Sequence, residues 1–117
     1  MSVMVAVTDS AEGRHAQSAS ADEARLLGTD LIIVNLTLGE LRDVPTLDGS
    51  HVEVIDRSGR GDRDPADAVL DEINDHPDVQ RLVIGIRRRS PVGKAFLGSI
   101  SQRLLMDAPV PVVAVKV

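Results

Sequence analysis

Cysteine, tryptophan and tyrosine are absent from these 117 residues, and Phe96 is the only aromatic side chain. Without thiols there is no disulfide framework, thiolate metal site or dithiol redox pair, and the core has to be built from Val, Ile, Leu and Ala. Long apolar runs are also missing. None approaches the roughly 18 residues of a membrane span, and the opening MSVMVAVTDS has no cationic leader and turns polar at Thr8. The expectation is a soluble cytoplasmic protein. Positive charge is in short supply too, with 13 Lys and Arg against 18 Asp and Glu, a net charge of −5. Nucleic acid and anionic membrane both call for a basic field, so neither is an expected partner, and any anion site must be local. An apolar fraction of 43% with 26% charged residues is ordinary for one globular domain, here spanning residues 1–117.

What the chain does have is alternation. Val3 to Val7 is a short apolar run stopped by Thr8, Asp9 and Ser10, the pattern of a buried strand ending in a polar turn. Gly13 to Leu27 follows with Ala16, Ala19, Ala24 and Leu27 roughly on one helical stripe and Gly28 just past its end. Small side chains on that stripe imply a helix lying close to a sheet. Leu31 to Leu36 is a second strand, apolar except for Asn35 and therefore covered on both faces. Gly39 to Ser50 has Pro45, Gly49 and no period, so it reads as loop with at most one helical turn. His51 to Ile55 is a peripheral third strand, and Arg57 to Arg63 a flexible connection.

The next helix has explicit boundaries. Asp64 is a good N-cap, Pro65 suits the first helical position, and Ala66, Val69, Leu70 and Ile73 repeat at helical spacing up to Asp75. Its carboxylates read as a solvated face rather than a metal cluster. Arg81 to Ile84 is the fourth strand, expected to break at Gly85 into a loop carrying Arg87, Arg88, Arg89 and Lys94. Ser99 and Gln102 then form an S-x-x-Q capping box for a helix with Ile100, Leu104, Leu105 and Ala108 on its apolar face. Pro109 and Pro111 end it, and Val112 to Val117 is a last strand whose free edge invites a partner.

This order predicts an α/β domain with a mainly parallel five-stranded sheet, in which ligands sit beyond the carboxyl ends of the strands at a topological switch point. Two polar breaks fall at such ends: Thr8 to Ser10, and Gly85 onward. The second couples a basic stretch to a helix start at Gly98 and Ser99, where free amides, the helix dipole and a hydroxyl favour an anion. Other chemistries fail on inspection. Gly93 and Lys94 lack the rest of a Walker pattern, since Ala95 follows and position 88 is arginine. His15, His51 and His76 stand in separate segments without ligand spacing, and no serine has a visible His and Asp arrangement.

Gly85, Ile86, Arg87 and Arg88, nine residues from Arg89 to Leu97, then Gly98 and Ser99, resemble the glycine pattern of the universal stress protein (UspA-like) family, nucleotide-binding branch. Arg88 stands where the family has a second glycine. VAVTDS, LIIVNL and APVPVVAVKV resemble its first, second and closing strands. The resemblance implies an open sheet in the order 3-2-1-4-5, a Rossmann-like sandwich of the adenine nucleotide alpha hydrolase type, here with a shortened connection between strands two and three. It implies a site for ATP or another adenine nucleotide, with or without Mg2+. Asp9 would contact the adenine or ribose, Leu36 would line the adenine pocket, Gly85 would let the ribose approach, and Gly98, Ser99 and Ile100 would hold phosphates. Thr8, Ile84, Arg87 and Arg88 complete the implied site. Arg88 either strains a position that needs glycine or replaces a backbone contact by a charged one. A homodimer through the strand Val112 to Val117 is also implied. The functions to be separated are a nucleotide-binding stress sensor or scaffold, a nucleotide-free dimeric interaction module, and a slow ATPase.

Overall fold

Three apolar runs of the sequence occupy the middle of the molecule, because each has core on both sides. The computed structural model describes residues 1–56, 64–89, 94–96 and 98–117, with the backbone alone for 88, 89 and 94–96. Its elements are β1 (Ser2–Val7), α1 (Ala11–Leu27), β2 (Asp30–Asn35), β3 (Val52–Asp56), α2 (Pro65–Asp75), β4 (Val79–Arg89), β5 (Lys94–Phe96), α3 (Ser99–Asp107) and β6 (Val112–Lys116). Five of the strands are parallel and lie in the order β3-β2-β1-β4-β6. That is the expected 3-2-1-4-5 sheet of a single α/β domain, with β6 as its fifth member. β5 is extra, pairing antiparallel with the far end of β4 through Arg87↔Phe96, Arg88↔Ala95 and Arg89↔Lys94.

Alternate residues of the buried strands feed two separate cores, as the period of two requires. Val3, Val5, Val7, Leu31, Ile33 and Val83 point to one face, where Ala16, Ala21 and Ala24 of α1 and Leu47 cover them. Met4, Ala6, Ile32, Val34, Leu82 and Ile84 point to the other, against Ala66, Val69 and Ile73 of α2 and Leu104 of α3. Each fully buried Val, Leu or Ile contributes about 1.5–3 kcal/mol of transfer free energy, so these two layers are the main source of stability. The alanine stripe of α1 brings its axis close to the sheet, and Gly28, at φ 66°, closes the helix in the left-handed cap the sequence suggested.

Several expectations need correction. Gly85 does not break the fourth strand, because β4 continues through it to Arg89, held by β6 as far as Ile86 and then by β5. The described residues of the anticipated basic loop before Gly98, 86–89 and 94–96, are thus strand. Ser99 is not an N-cap: Gly98 occupies that position, no side chain caps the helix, and Ser99 is its first residue. Leu105 is 44% exposed and lies off the apolar face of α3, since the short helix shows the sheet a stripe centred on the buried Leu104. By contrast, Asp64 caps α2 through the Ala66 and Asp67 amides with Pro65 next, as its residues predicted. The connection between β2 and β3 carries no helix, as its lack of period implied. The expected flexible connection Arg57 to Arg63 lies outside the described residues.

Two glycines fix how α1 sits. A methyl group at Gly13 would stand 2.1 Å from the Thr8 carbonyl oxygen, and one at Gly85 would stand 2.1 Å from the Glu12 carbonyl oxygen. Gly13→Ala should therefore destabilise the protein by about 1–3 kcal/mol, although alanine is favoured over glycine in a helix by about 1 kcal/mol. Gly98→Ala, where a methyl group meets no described atom, should stay within about 0.5 kcal/mol of the parent. Urea unfolding midpoints of the two variants measure the contrast.

Candidate functional site

The sheet opens at its carboxyl end between β1 and β4. Their ladder runs from Ser2↔Val79, through a register shift, to Val5↔Val83 and stops, while β1 stays paired with β2 to Val7↔Asn35 and β4 stays paired with β6 to Ile86↔Lys116. β1 is where the strand order reverses, so this is the switch point at which ligands of open α/β sheets gather.

Two helix starts converge there on Gly85. The first turn of α1 lies over it through the Glu12 backbone, and the Ser101 hydroxyl in the first turn of α3 donates to the Gly85 carbonyl at 3.2 Å. Electrostatically the two starts differ. Ser10 caps α1, its Oγ accepting from the Gly13 amide at 3.0 Å and sharing a 2.8 Å hydrogen bond with the Thr8 hydroxyl. Glu12 then places a carboxylate in that turn, reaching the Arg87 guanidinium at 3.4 Å. The start of α3 has no side-chain cap, an exposed Ser99 and a Gly98 whose φ of −63° any residue adopts. Gly85 is explained by packing. Gly98 is not, among the described residues, by either packing or backbone conformation.

α3 is braced from α2. Arg103 hydrogen-bonds Asp67 and lies 3.5 Å from both Asp64 and Asp107. These contacts, led by the hydrogen bond to Asp67, raise its pKa above the ordinary arginine value.

The other side of β1 carries a cleft of about 660 Å³ between α1 and the segment 37–45. Val7, Ala21, Leu41 and Pro45 give it an apolar part, Thr8 and Asp9 close one end, and its charged lining sets Arg14, Arg25 and Arg42 against Asp9, Glu40 and Asp43. The segment is pinned at both ends. The Gln17 amide donates to the Arg42 and Asp43 carbonyls at 3.4 and 3.1 Å, where Asp43 holds a left-handed backbone at φ 55°. Buried Asn35 donates to the Gly39 carbonyl and to Asp56, both at 2.8 Å, and accepts from the Thr37 amide and hydroxyl.

The residues singled out from sequence are thus distributed. Thr8 and Asp9 reach the cleft; Gly85, Arg87, Gly98 and Ser99 gather at the β4 and α3 end. Leu36 and Ile84 are buried in the core under α2 and α3, with Ile100 packed against it. Leu36 does not line the cleft, because its side chain falls on the opposite face of the sheet. Arg88 lies in the extended β4 ladder rather than in a turn, and its side chain is outside the description. Sequence reading missed Glu12, Arg14, Gln17 and Arg42. Only the spacing of Arg14, Gln17 or Ser18, Ala21 and Arg25 along one side of α1 could have signalled part of this set.

The sequence model of the universal stress protein family matches residues 40–116. A universal stress protein from Mycolicibacterium smegmatis (strain ATCC 700084 / mc(2)155) is 40% identical, the match covering 97% of each chain. The chain belongs to the universal stress protein family. Among solved structures, the universal stress protein from Archaeoglobus fulgidus superposes with a TM-score of 0.73 at 30% identity, over 99% of this chain and 98% of that one. A structure of the universal stress protein from the same organism in complex with dAMP gives 0.67 at 25% identity, over 99% and 98%. The Rossmann-like α/β fold is shared with both.

Replacing Gln17 by Met keeps the bulk of the side chain and removes its amide. Hydrogen exchange at the amides of 37–47 should accelerate, with α2 and α3 unchanged. Equal exchange in both proteins would mean that Asn35 and the packing of Leu41 and Leu47 hold the segment without Gln17.

Proposed function

We propose that this universal stress protein binds an adenine nucleotide across the β1 and β4 switch point and acts as a cytoplasmic stress-response sensor or scaffold. The base and ribose lie toward Thr8, Asp9 and the cleft, where a charge-balanced, partly apolar lining suits a polar ring system. The phosphates lie at the uncapped start of α3, against the amides after Gly98 and the Ser99 hydroxyl. The observation that carries this reading is Gly98, a glycine with free space where a Cβ would stand, at a helix start with no cap. The dAMP complex of an Archaeoglobus fulgidus relative supports the ligand class. ATP or another adenine nucleotide, with or without Mg2+, belongs to the same proposal.

A second reading, a nucleotide-free dimeric interaction module, draws on β4. Its continuation through Arg88 into the β5 ladder puts strand where the resemblance expected a glycine turn. Either reading uses the outer edge of β6, which pairs with β4 on one side and with no described strand on the other, as a homodimer surface.

Added ATP, with and without Mg2+, should raise the thermal midpoint by mass action. Gly98→Val should leave the ligand-free midpoint in place and weaken ATP binding by at least about tenfold, because its side chain takes the space of the phosphate. No retention of ATP at millimolar concentration in equilibrium dialysis would eliminate the first reading and leave the second.

A further inference from the structure

We infer that Glu12 is a specificity-determining residue that sets how many phosphates the site accepts, an inference that rests on the reading just given. The side chain of Glu12 is held where it can do this. Its backbone carbonyl is seated against Gly85, the residue that also accepts from Ser101 in the first turn of α3, so Glu12 and the phosphate end of the site flank one strand position. Its carboxylate, 22% exposed, lies 3.4 Å from Arg87, whose side chain is 59% exposed.

Two electrostatic consequences follow. Arg87 does not stand as a free cation for a polyphosphate, because a carboxylate already shares it. The α1 start, a second place where an anion could settle at this switch point, is taken by the Ser10 cap and the Glu12 charge. A phosphate chain held at α3 and extending toward Arg87 meets a guanidinium whose charge Glu12 already balances, so each added phosphate gains little there. An uncharged ribose is indifferent to that pairing. Glu12 therefore favours adenine compounds with few phosphates over ATP.

The test compares adenosine, AMP and ATP by calorimetric titration in EDTA, so that no metal bridges the carboxylate and the phosphates. The proteins are the wild type, Glu12→Gln and Arg87→Gln, each checked by circular dichroism and thermal melting. Glu12→Gln should tighten ATP by about three- to tenfold, AMP by less and adenosine by under about twofold. Arg87→Gln should weaken ATP, since it leaves the carboxylate unshared. If the wild type binds and the ratio of ATP to adenosine affinity is the same in Glu12→Gln, the role of Glu12 is overturned and the nucleotide reading stands. If neither wild type nor Glu12→Gln retains any of the three compounds, the nucleotide reading and this inference fall together.

Discussion

The seating of the first turn of α1 in the opening between β1 and β4 is the contact on which the rest of the molecule depends. It is a backbone-to-backbone approach, Gly13 against Thr8 and Glu12 against Gly85, and neither position has room for a methyl group. Because a helix backbone occupies that face, β4 cannot lean toward β1, and the two ladders diverge beyond Val5 and Val83. The same contact points the start of α1 at the place the start of α3 reaches through Ser101. One helix start is capped and carries a carboxylate; the other is bare. On the proposed reading this asymmetry gives the site a direction, with its phosphate end at α3.

A strap does the work of a helix on the α1 side. Between β2 and β3 the chain has too little periodic sequence for a helix, yet the sheet face above Val5, Leu31 and Ile33 still has to be covered. Leu47, with Leu41 packed beside it, covers part of that face, and Gln17 and Asn35 fasten the intervening backbone by amide hydrogen bonds. A strap is narrower than a helix, and the space it leaves beside α1 is the cleft. Asn35 illustrates how tightly the segment is specified. Buried amides are costly unless every group is used, and this one is satisfied on both its oxygen and its nitrogen.

Local signals carried most of the fold. Fully apolar runs marked β1, β2 and the first half of β4, and Asp64, Pro65 and Gly28 marked helix ends, because each of these residues acts within one turn of its own position. The strand order was legible through the family resemblance, not from periodicity. Failures came where a distant element decides. Gly85 looked like a strand end because glycine usually punctuates, but its partner is the backbone of a helix 73 positions earlier, which no local pattern reports. Ser99 matched a capping box in type and spacing, yet the N-cap falls one residue sooner on Gly98, so Ser99 is the first residue of the helix and its hydroxyl caps nothing. Leu36, implied by the resemblance to line an adenine pocket, packs in the core under α2 and α3, because the alternation of the strand persists one residue past its end.

On the proposed reading, an acidic protein with a net charge of −5 holds an anion through a local division of charge. In the cleft, Arg14, Arg25 and Arg42 are balanced by Asp9, Glu40 and Asp43. Over Gly85, Arg87 is balanced by Glu12, and beside α2, Arg103 is balanced by Asp64, Asp67 and Asp107. With the described side-chain charges offset in this way, the main-chain amides at the start of α3 add a positive potential that none of those side chains offsets, a short-range field that fades within a turn of helix. Such a field does not attract anions from a distance; it acts only on a group already positioned. The shape of the cleft and the reach of Asp9 would then select the ligand, and α3 would fix its phosphate end.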